Sequence, residues 1–165
     1  MSQEWGLLQT ISCSEQAIRD ELLQQFARKF DEDALVMDKY FILVASSGRR
    51  DTFERVQAAL NHPRFSMENP NKVRSLIGMF TRNIAEFHHA SGRGYAFVAD
   101  KIIALDGYNP QVAARLVQAF NVLSRVDDAR QSLMLAQLER IQAQTNVSKD
   151  TAEIIGKILL QHQVA

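Results

Sequence analysis

The spacing of apolar residues predicts a series of amphipathic helices separated by short polar breaks. The first clear helix follows a capping box formed by Ser12 and Glu15 and carries an apolar residue at every fourth position, namely Ile18, Leu22, Phe26 and Phe30. The next segment, residues 33–46, is apolar around nearly its whole circumference. This pattern predicts a helix that lies centrally and is contacted from several sides.

Two further helices are predicted to begin with the same cap, at Asn69-Pro70 and at Asn109-Pro110. Asparagine is a favoured N-cap residue, and proline is tolerated at the first helical position because no intrahelical partner needs its missing N–H. An apolar stripe follows each cap: Val73, Leu76, Ile77 and Phe80 in the first case, and Val112, Leu116, Ala119, Phe120 and Leu123 in the second. The repeated cap indicates regular helix-turn-helix construction.

Other helices are predicted from Asp51 to His62, from a turn at residues 91–94 to Gly107, from Asp127 to Gln144 and from Ser148 to Gln161. Short breaks between helices favour antiparallel neighbours. The sequence therefore predicts an all-α fold of about eight antiparallel helices, stacked as a helical repeat or α-solenoid in a single domain over residues 1–165.

A short stripe near the start of the chain consists of Trp5, Leu8 and Ile11. No earlier element is available to cover it. We therefore expect that the chain is a fragment of a longer protein, with residues 1–30 as its truncated N-terminal edge.

Composition agrees with a helical globular domain, since the chain is 46% hydrophobic and 23% charged with only 7 Gly and 3 Pro. The formal net charge is zero, with 19 basic and 19 acidic residues, so no overall field attracts nucleic acid or an anionic membrane. No apolar run approaches the roughly 20 residues that span a bilayer. With Cys13 as the single cysteine and no signal-peptide pattern, a cytoplasmic location is expected.

No catalytic residue and no metal ligand is predicted in this chain. A His-Glu-x-x-His helix is missing, and the neighbouring His88 and His89 point in different directions on any regular backbone. We expect one of these two rings to form a packing hydrogen bond. Cys13 has no nearby basic group in sequence that would lower its thiol pKa, which favours an inert thiol.

Two arginines stand out by position. Arg115 lies at the edge of its helix's apolar stripe, and Arg74 lies one position off the stripe of its own helix, one turn before Gly78. A charge at such a position must reach water, a partner or a cavity. Spacing alone leaves two interpretations open, a structural salt bridge, which is the commoner one, and a charge that faces a ligand cavity.

Longer stretches of the chain resemble a known family. They are ALVMDKYF at 34–41, FSMENPNKVRSLIGMF at 65–80, Phe87-His88, GYAF at 94–97 and NPQVAARL at 109–116. In this order they look like the C-terminal helical domain of bacterial aminopeptidase N, a zinc metallopeptidase of the gluzincin class. The resemblance runs from about Asp33 almost to the C-terminus and is weaker before it.

This resemblance implies a zinc enzyme that releases single residues from peptide N-termini. It places the zinc ion in a preceding catalytic domain of the same polypeptide, which this chain lacks. It also implies that the helical domain closes over the active site, lines a cavity for peptide substrates and is inactive alone. The positions that match the family suggest that Arg74 and Arg115 face this cavity and hold the carboxylate end of a bound peptide.

A second hypothesis belongs to a different class: a free-standing helical-repeat module that binds other proteins and has no enzymatic parent. Such a module is expected to have polar capping helices at both ends. The apolar stripe at Trp5, Leu8 and Ile11 argues against it.

Overall fold

A computed structural model describes residues 2–164, and in this part of the chain all regular secondary structure is helical, with no strand. Its ten α-helices are α1 (Ser2–Ile11), α2 (Ala17–Lys29), α3 (Ala34–Ser46), α4 (Thr52–Ala59), α5 (Pro70–Val73), α6 (Ile84–Phe87), α7 (Arg93–Asp106), α8 (Pro110–Val117), α9 (Asp128–Gln142) and α10 (Lys149–Val164). A π-helical turn, Arg74–Gly78, continues α5, and a 3₁₀ segment, Gln118–Arg125, continues α8. The all-α prediction is confirmed. The chain forms two compact units, the first ending at Glu86 and the second beginning at Phe87.

Helix α3 lies at the centre of the first unit, in contact with α2, α4, α5 and the π-helical turn. Its residues Val36, Met37, Phe41, Val44 and Ala45 are buried, as the apolar circumference predicts. Leu35 is the exception, because it is 72% exposed.

Part of the prediction for α2 is wrong: Phe26 of the predicted stripe is buried, but the capping box does not form and Ile18 does not face inward. The helix begins at Ala17, and its N-cap residue, Gln16, forms no side-chain cap, so the capping box at Ser12 and Glu15 does not form. Ile18 is 50% exposed, whereas the neighbouring Arg19 is only 1% exposed. An α-helix turns once in about 3.6 residues, so a strict interval of four winds about 40° further around the helix at each step. The inward face comprises Arg19, Leu23 and Ala27 together with Phe26 of the predicted stripe.

Helix α1 packs against α2, and Leu8 is buried. Trp5 and Ile11 are half-buried. The stripe is therefore covered by an element that follows it in sequence.

Both Asn-Pro caps form as predicted. The Asn69 Oδ1 atom accepts hydrogen bonds from the backbone N–H groups of Asn71 at 2.9 Å and Lys72 at 3.4 Å. The Asn109 Oδ1 atom accepts one from Val112 N–H at 3.4 Å. Each side chain thus satisfies N–H groups that have no partner within the first helical turn.

In the second unit, α7 packs against α8 and α9, and α10 packs against α8 and the 3₁₀ segment. Helix α7 begins one residue after Gly92, whose φ of 75° lies in the left-handed region. At the other end of α7, Asp106 accepts hydrogen bonds of 2.6 Å from both the backbone N–H and the hydroxyl of Ser148. This carboxylate therefore ties the end of α7 to the start of α10.

Candidate functional site

Arg74 is the first residue of the π-helical turn, and its side chain is exposed. Its Nη1 atom donates a hydrogen bond of 3.2 Å to the Oδ1 atom of Asn71. A Cβ atom placed on Gly78 would lie 3.7 Å from the Arg74 Cγ atom, which is ordinary van der Waals contact. The stem of Arg74 therefore extends beside Gly78, one turn along the helix.

The π-helical turn itself is a feature that the sequence analysis missed. The backbone N–H of Met79 donates to the carbonyl oxygen of Arg74, which lies five residues earlier. Such single turns often occur at functional sites in proteins. The apolar spacing of Val73, Leu76, Ile77 and Phe80 gives no signal for it, because all four side chains are buried with the turn in place.

Arg115 lies on α8 between the buried residues Ala114 and Leu116, and its own side chain is exposed. Within residues 2–164 its guanidinium forms no ion pair and no side-chain hydrogen bond. Arg74 has an amide rather than a carboxylate as its partner. In this part of the chain, neither arginine forms the structural salt bridge that spacing alone favours. Arg74 belongs to the first unit and Arg115 to the second.

His88 and Tyr95 form a half-buried polar contact in the second unit. The His88 Nδ1 atom lies 2.7 Å from the Tyr95 hydroxyl, and Arg130 Nε donates a hydrogen bond of 2.7 Å to the His88 carbonyl oxygen. Burial and, secondly, the charge of Arg130 lower the pKa of His88 below its usual value. Phe87 packs edge-on against Tyr95 with ring centroids 5.1 Å apart. This is the packing hydrogen bond expected for one of the adjacent histidines.

Charged side chains of the first unit form a network that was not predicted. Arg49 Nε and Arg55 Nε donate to the two carboxylate oxygens of Asp51 at 2.9 and 2.7 Å, and Arg55 Nη2 donates to Asp20 at 2.7 Å. The hydrogen bond from Arg49, together with that from Arg55, holds the pKa of Asp51 far below its usual range. Asp20 lies 35 positions before Arg55, so no local pattern could indicate this contact.

Cys13 is exposed, and its Sγ atom accepts a hydrogen bond of 3.3 Å from the backbone N–H of Gly48.

Among residues 2–164, no three His, Cys, Asp or Glu side chains come together in a group that could hold a metal ion. The zinc ion that the family resemblance implies is expected in a domain outside this chain. None of the described helices is both long enough and apolar enough to cross a membrane.

The stacked helices define a class of protein, the helical-repeat domains, and comparison with known proteins gives the family. The family model described as "Domain of unknown function (DUF3458_C) ARM repeats" matches residues 1–160. The chain belongs to this family, and the predicted helical-repeat architecture is confirmed.

Aminopeptidases are among the proteins most similar to this chain. It is 46% identical to aminopeptidase N of Haemophilus influenzae and 44% identical to aminopeptidase N of Escherichia coli, in each case over 142 residues. These matches cover 86% of this chain but only 16% of each relative. The solved structure of Legionella pneumophila aminopeptidase A in complex with aspartic acid matches 93% of this chain and 18% of its own, at 31% identity and a TM-score of 0.87. The resemblance to the C-terminal domain of aminopeptidase N is confirmed.

Proposed function

We propose that this chain is the helical C-terminal domain of a cytoplasmic, zinc-dependent aminopeptidase that releases N-terminal residues from peptides. The observation that supports this proposal is the identity of 42–46% to three aminopeptidases N, of which the chain spans about a sixth of the length. The remainder of the polypeptide supplies the zinc ion and the groups that act on the scissile bond. This domain covers the active site, lines the substrate cavity and has no activity alone.

Arg74 and Arg115 bind the C-terminal carboxylate of the peptide substrate in this proposal. A guanidinium presents planar N–H groups that match the two oxygens of a carboxylate. Both side chains are exposed, and neither is neutralised by an acidic residue among those described. Their donors are therefore available to a substrate.

The test replaces Arg115 with alanine in the complete enzyme and compares two versions of one tripeptide, with a free C-terminal carboxylate and with a C-terminal amide. We expect kcat/KM to fall about tenfold for the free carboxylate, the value of one hydrogen bond to a charged group, and to change little for the amide. Arg125→Ala is the matched control, because Arg125 is also exposed and without an ion pair in the second unit. An equal loss on both peptides would mean that Arg115 has a structural role only.

Arg74→Ala is compared in the same way, with the exposed Arg28 of α2 as its matched control in the first unit. The Asn71→Ala variant distinguishes the contact between Arg74 and the substrate from the positioning of Arg74 by Asn71. It removes the hydrogen bond that orients Arg74, so its loss on the free carboxylate should be smaller than that of Arg74→Ala.

The isolated 165-residue chain is assayed with alanyl-p-nitroanilide in the presence of zinc. No turnover is expected, because the described residues contain no metal-ligand group. Turnover in this assay would contradict the proposal. The alternative is a free-standing interaction module, which requires that no His-Glu-x-x-His motif is encoded upstream of this chain. Reading the upstream coding sequence distinguishes the two.

A further inference from the structure

A cleft of about 230 Å³ opens on the first unit among α2, α3 and the end of α4. Leu23, Val44, Ala58 and Ala59 form its apolar lining. Its polar lining comprises Asp20, Gln24, Tyr40, Arg55, Asn61 and His62. Apolar walls with a few convergent polar groups are typical of small-ligand sites.

The one carboxylate in the cleft is already neutralised. Asp20 Oδ1 accepts a hydrogen bond of 3.0 Å from Arg19, and Asp20 Oδ2 accepts one of 2.7 Å from Arg55. Arg49 lies 3.9 Å from the same Oδ2 atom. Asp20 therefore has little capacity left to attract a cation.

The remaining polar groups can donate hydrogen bonds. His62 Nδ1 accepts a bond of 3.1 Å from the backbone N–H of Arg64, so the neutral ring carries its proton on Nε2. The Tyr40 ring lies 5.4 Å from the His62 ring, and its hydroxyl donates to no described residue. Arg55 uses Nε for Asp51 and Nη2 for Asp20, which leaves Nη1 available.

The charged groups next to the cleft differ in how well they are shielded from water. Three guanidinium groups, those of Arg19, Arg49 and Arg55, surround two carboxylates within hydrogen-bond distance, those of Asp20 and Asp51. A third carboxylate, on Glu15, is 3.6 Å from Arg49 but is 64% exposed, so water screens it. Arg19 is 1% exposed, and its Nη2 atom is buried without a hydrogen-bond partner. Arg19 does not itself line the cleft, so its charge would act on a bound anion only through space.

We propose that this cleft binds a carboxylate group, which accepts hydrogen bonds from the Tyr40 hydroxyl, His62 Nε2 and Arg55 Nη1. The carboxylate comes from one of two sources, a free small carboxylic acid or an Asp or Glu side chain elsewhere in the complete polypeptide. The proposal does not depend on the peptide-binding role of Arg74 and Arg115, since neither of them lines the cleft.

The experiment is a pair of crystal structures of the complete polypeptide that carries this chain, grown without carboxylate buffers and then left untreated or soaked in succinate. A succinate carboxylate within hydrogen-bond distance of Tyr40, His62 and Arg55 supports a free ligand. An acidic side chain of the polypeptide in the cleft in both crystals supports the internal source. Only water in both crystals overturns the proposal.

Titration calorimetry with succinate separates a specific site from binding at crystal concentration only. Tyr40→Phe removes one donor and leaves the ring, so affinity should fall about tenfold. Tyr108→Phe makes the same chemical change at an exposed tyrosine of the second unit and should leave affinity unchanged. Density for succinate combined with equal affinity of Tyr40→Phe and the unmodified protein would overturn the proposal. Aminopeptidase activity is measured separately, so its presence or absence does not affect this result.

Discussion

The Nζ atom of Lys72 lies 2.7 Å from Asp38 Oδ1 and 2.7 Å from the carbonyl oxygen of Ala34. The lysine is buried, and its ammonium also lies 5.6 Å from the centre of the Phe41 ring. These contacts join the first turn of α5 to the start of α3. They therefore hold the segment that leads into the π-helical turn and Arg74.

Asp38→Ala is expected to reduce the free energy of unfolding by about 3 kcal/mol, because it leaves the buried charge of Lys72 without its ion-pair partner. The double variant Asp38→Leu with Lys72→Met removes both charges and should recover most of this loss. Urea unfolding of the three proteins measures the difference. A double variant less stable than Asp38→Ala would contradict this account.

Asp51 is expected to contribute stability that depends on pH. Its pKa in the folded protein is lowered, chiefly by the hydrogen bond from Arg49, so the folded state favours the charged form. The contribution is complete above the unfolded-state pKa of about 3.9 and is lost as the pH falls below it toward the lower folded-state pKa. In the unmodified protein the free energy of unfolding should decrease as the pH falls from about 5 to about 2. Asp51→Asn should make this decrease smaller.

Urea midpoints at a series of pH values measure this effect. Glu21→Gln on α2 is the matched control, since Glu21 is exposed and has no ion pair among the described residues. It should retain the decrease seen in the unmodified protein. An Asp51→Asn curve parallel to the unmodified one would show that this carboxylate is not involved.

Gly92→Ala is expected to destabilise the protein by about 1–3 kcal/mol. Its φ of 75° is unfavourable for an L-residue, and a Cβ atom there would lie 3.1 Å from Leu133 Cδ2. Gly107→Ala is the matched control at the other end of α7, where φ is −70° and no atom lies within 4 Å of the added Cβ. Thermal unfolding should show a lower Tm for the first variant and no decrease for the second.

The pKa of His88, measured by NMR titration of its ring protons, is expected below the usual value of about 6.5. Burial is the main cause, so Arg130→Met should raise the pKa only part of the way, while Arg130→Lys keeps the charge and should raise it less. Because the folded state favours neutral His88, stability should decrease as the pH falls from about 6.5 toward the folded-state pKa. An unchanged pKa in Arg130→Met would exclude an effect of this arginine.

Elements that depend on residues close in sequence were predictable. The two Asn-Pro caps involve hydrogen bonds to N–H groups two or three residues later, so the local sequence contains the whole motif. Ser148 likewise caps α10 through a hydrogen bond of 3.2 Å from the backbone N–H of Thr151. The prediction of a capping box at Ser12 and Glu15 was wrong, because this short pattern alone does not require a helix to begin there.

The candidate arginines were predictable in position but not in environment. Their exposure follows from their place beside the apolar stripes. The π-helical turn depends instead on how the backbone packs, for which apolar spacing carries no signal. The hydrogen bond from Arg74 to Asn71, three residues earlier, is local but was not predicted. The peptide-binding role of both residues stays a prediction.

The sequence by itself determined the helical class, the two Asn-Pro caps and, through the order of its motifs, the family, because each of these depends on local contacts or on long stretches of residues. Only the tertiary structure decided that Arg19 is buried while Ile18 faces solvent. Arg19 is bonded to Asp20, which in turn binds Arg55 of α4, 35 positions later. Asp20 is the next residue in the chain, so the partner of Arg19 is local; the side of α2 that faces inward is decided by its packing against α1 and α3, which apolar spacing alone does not specify.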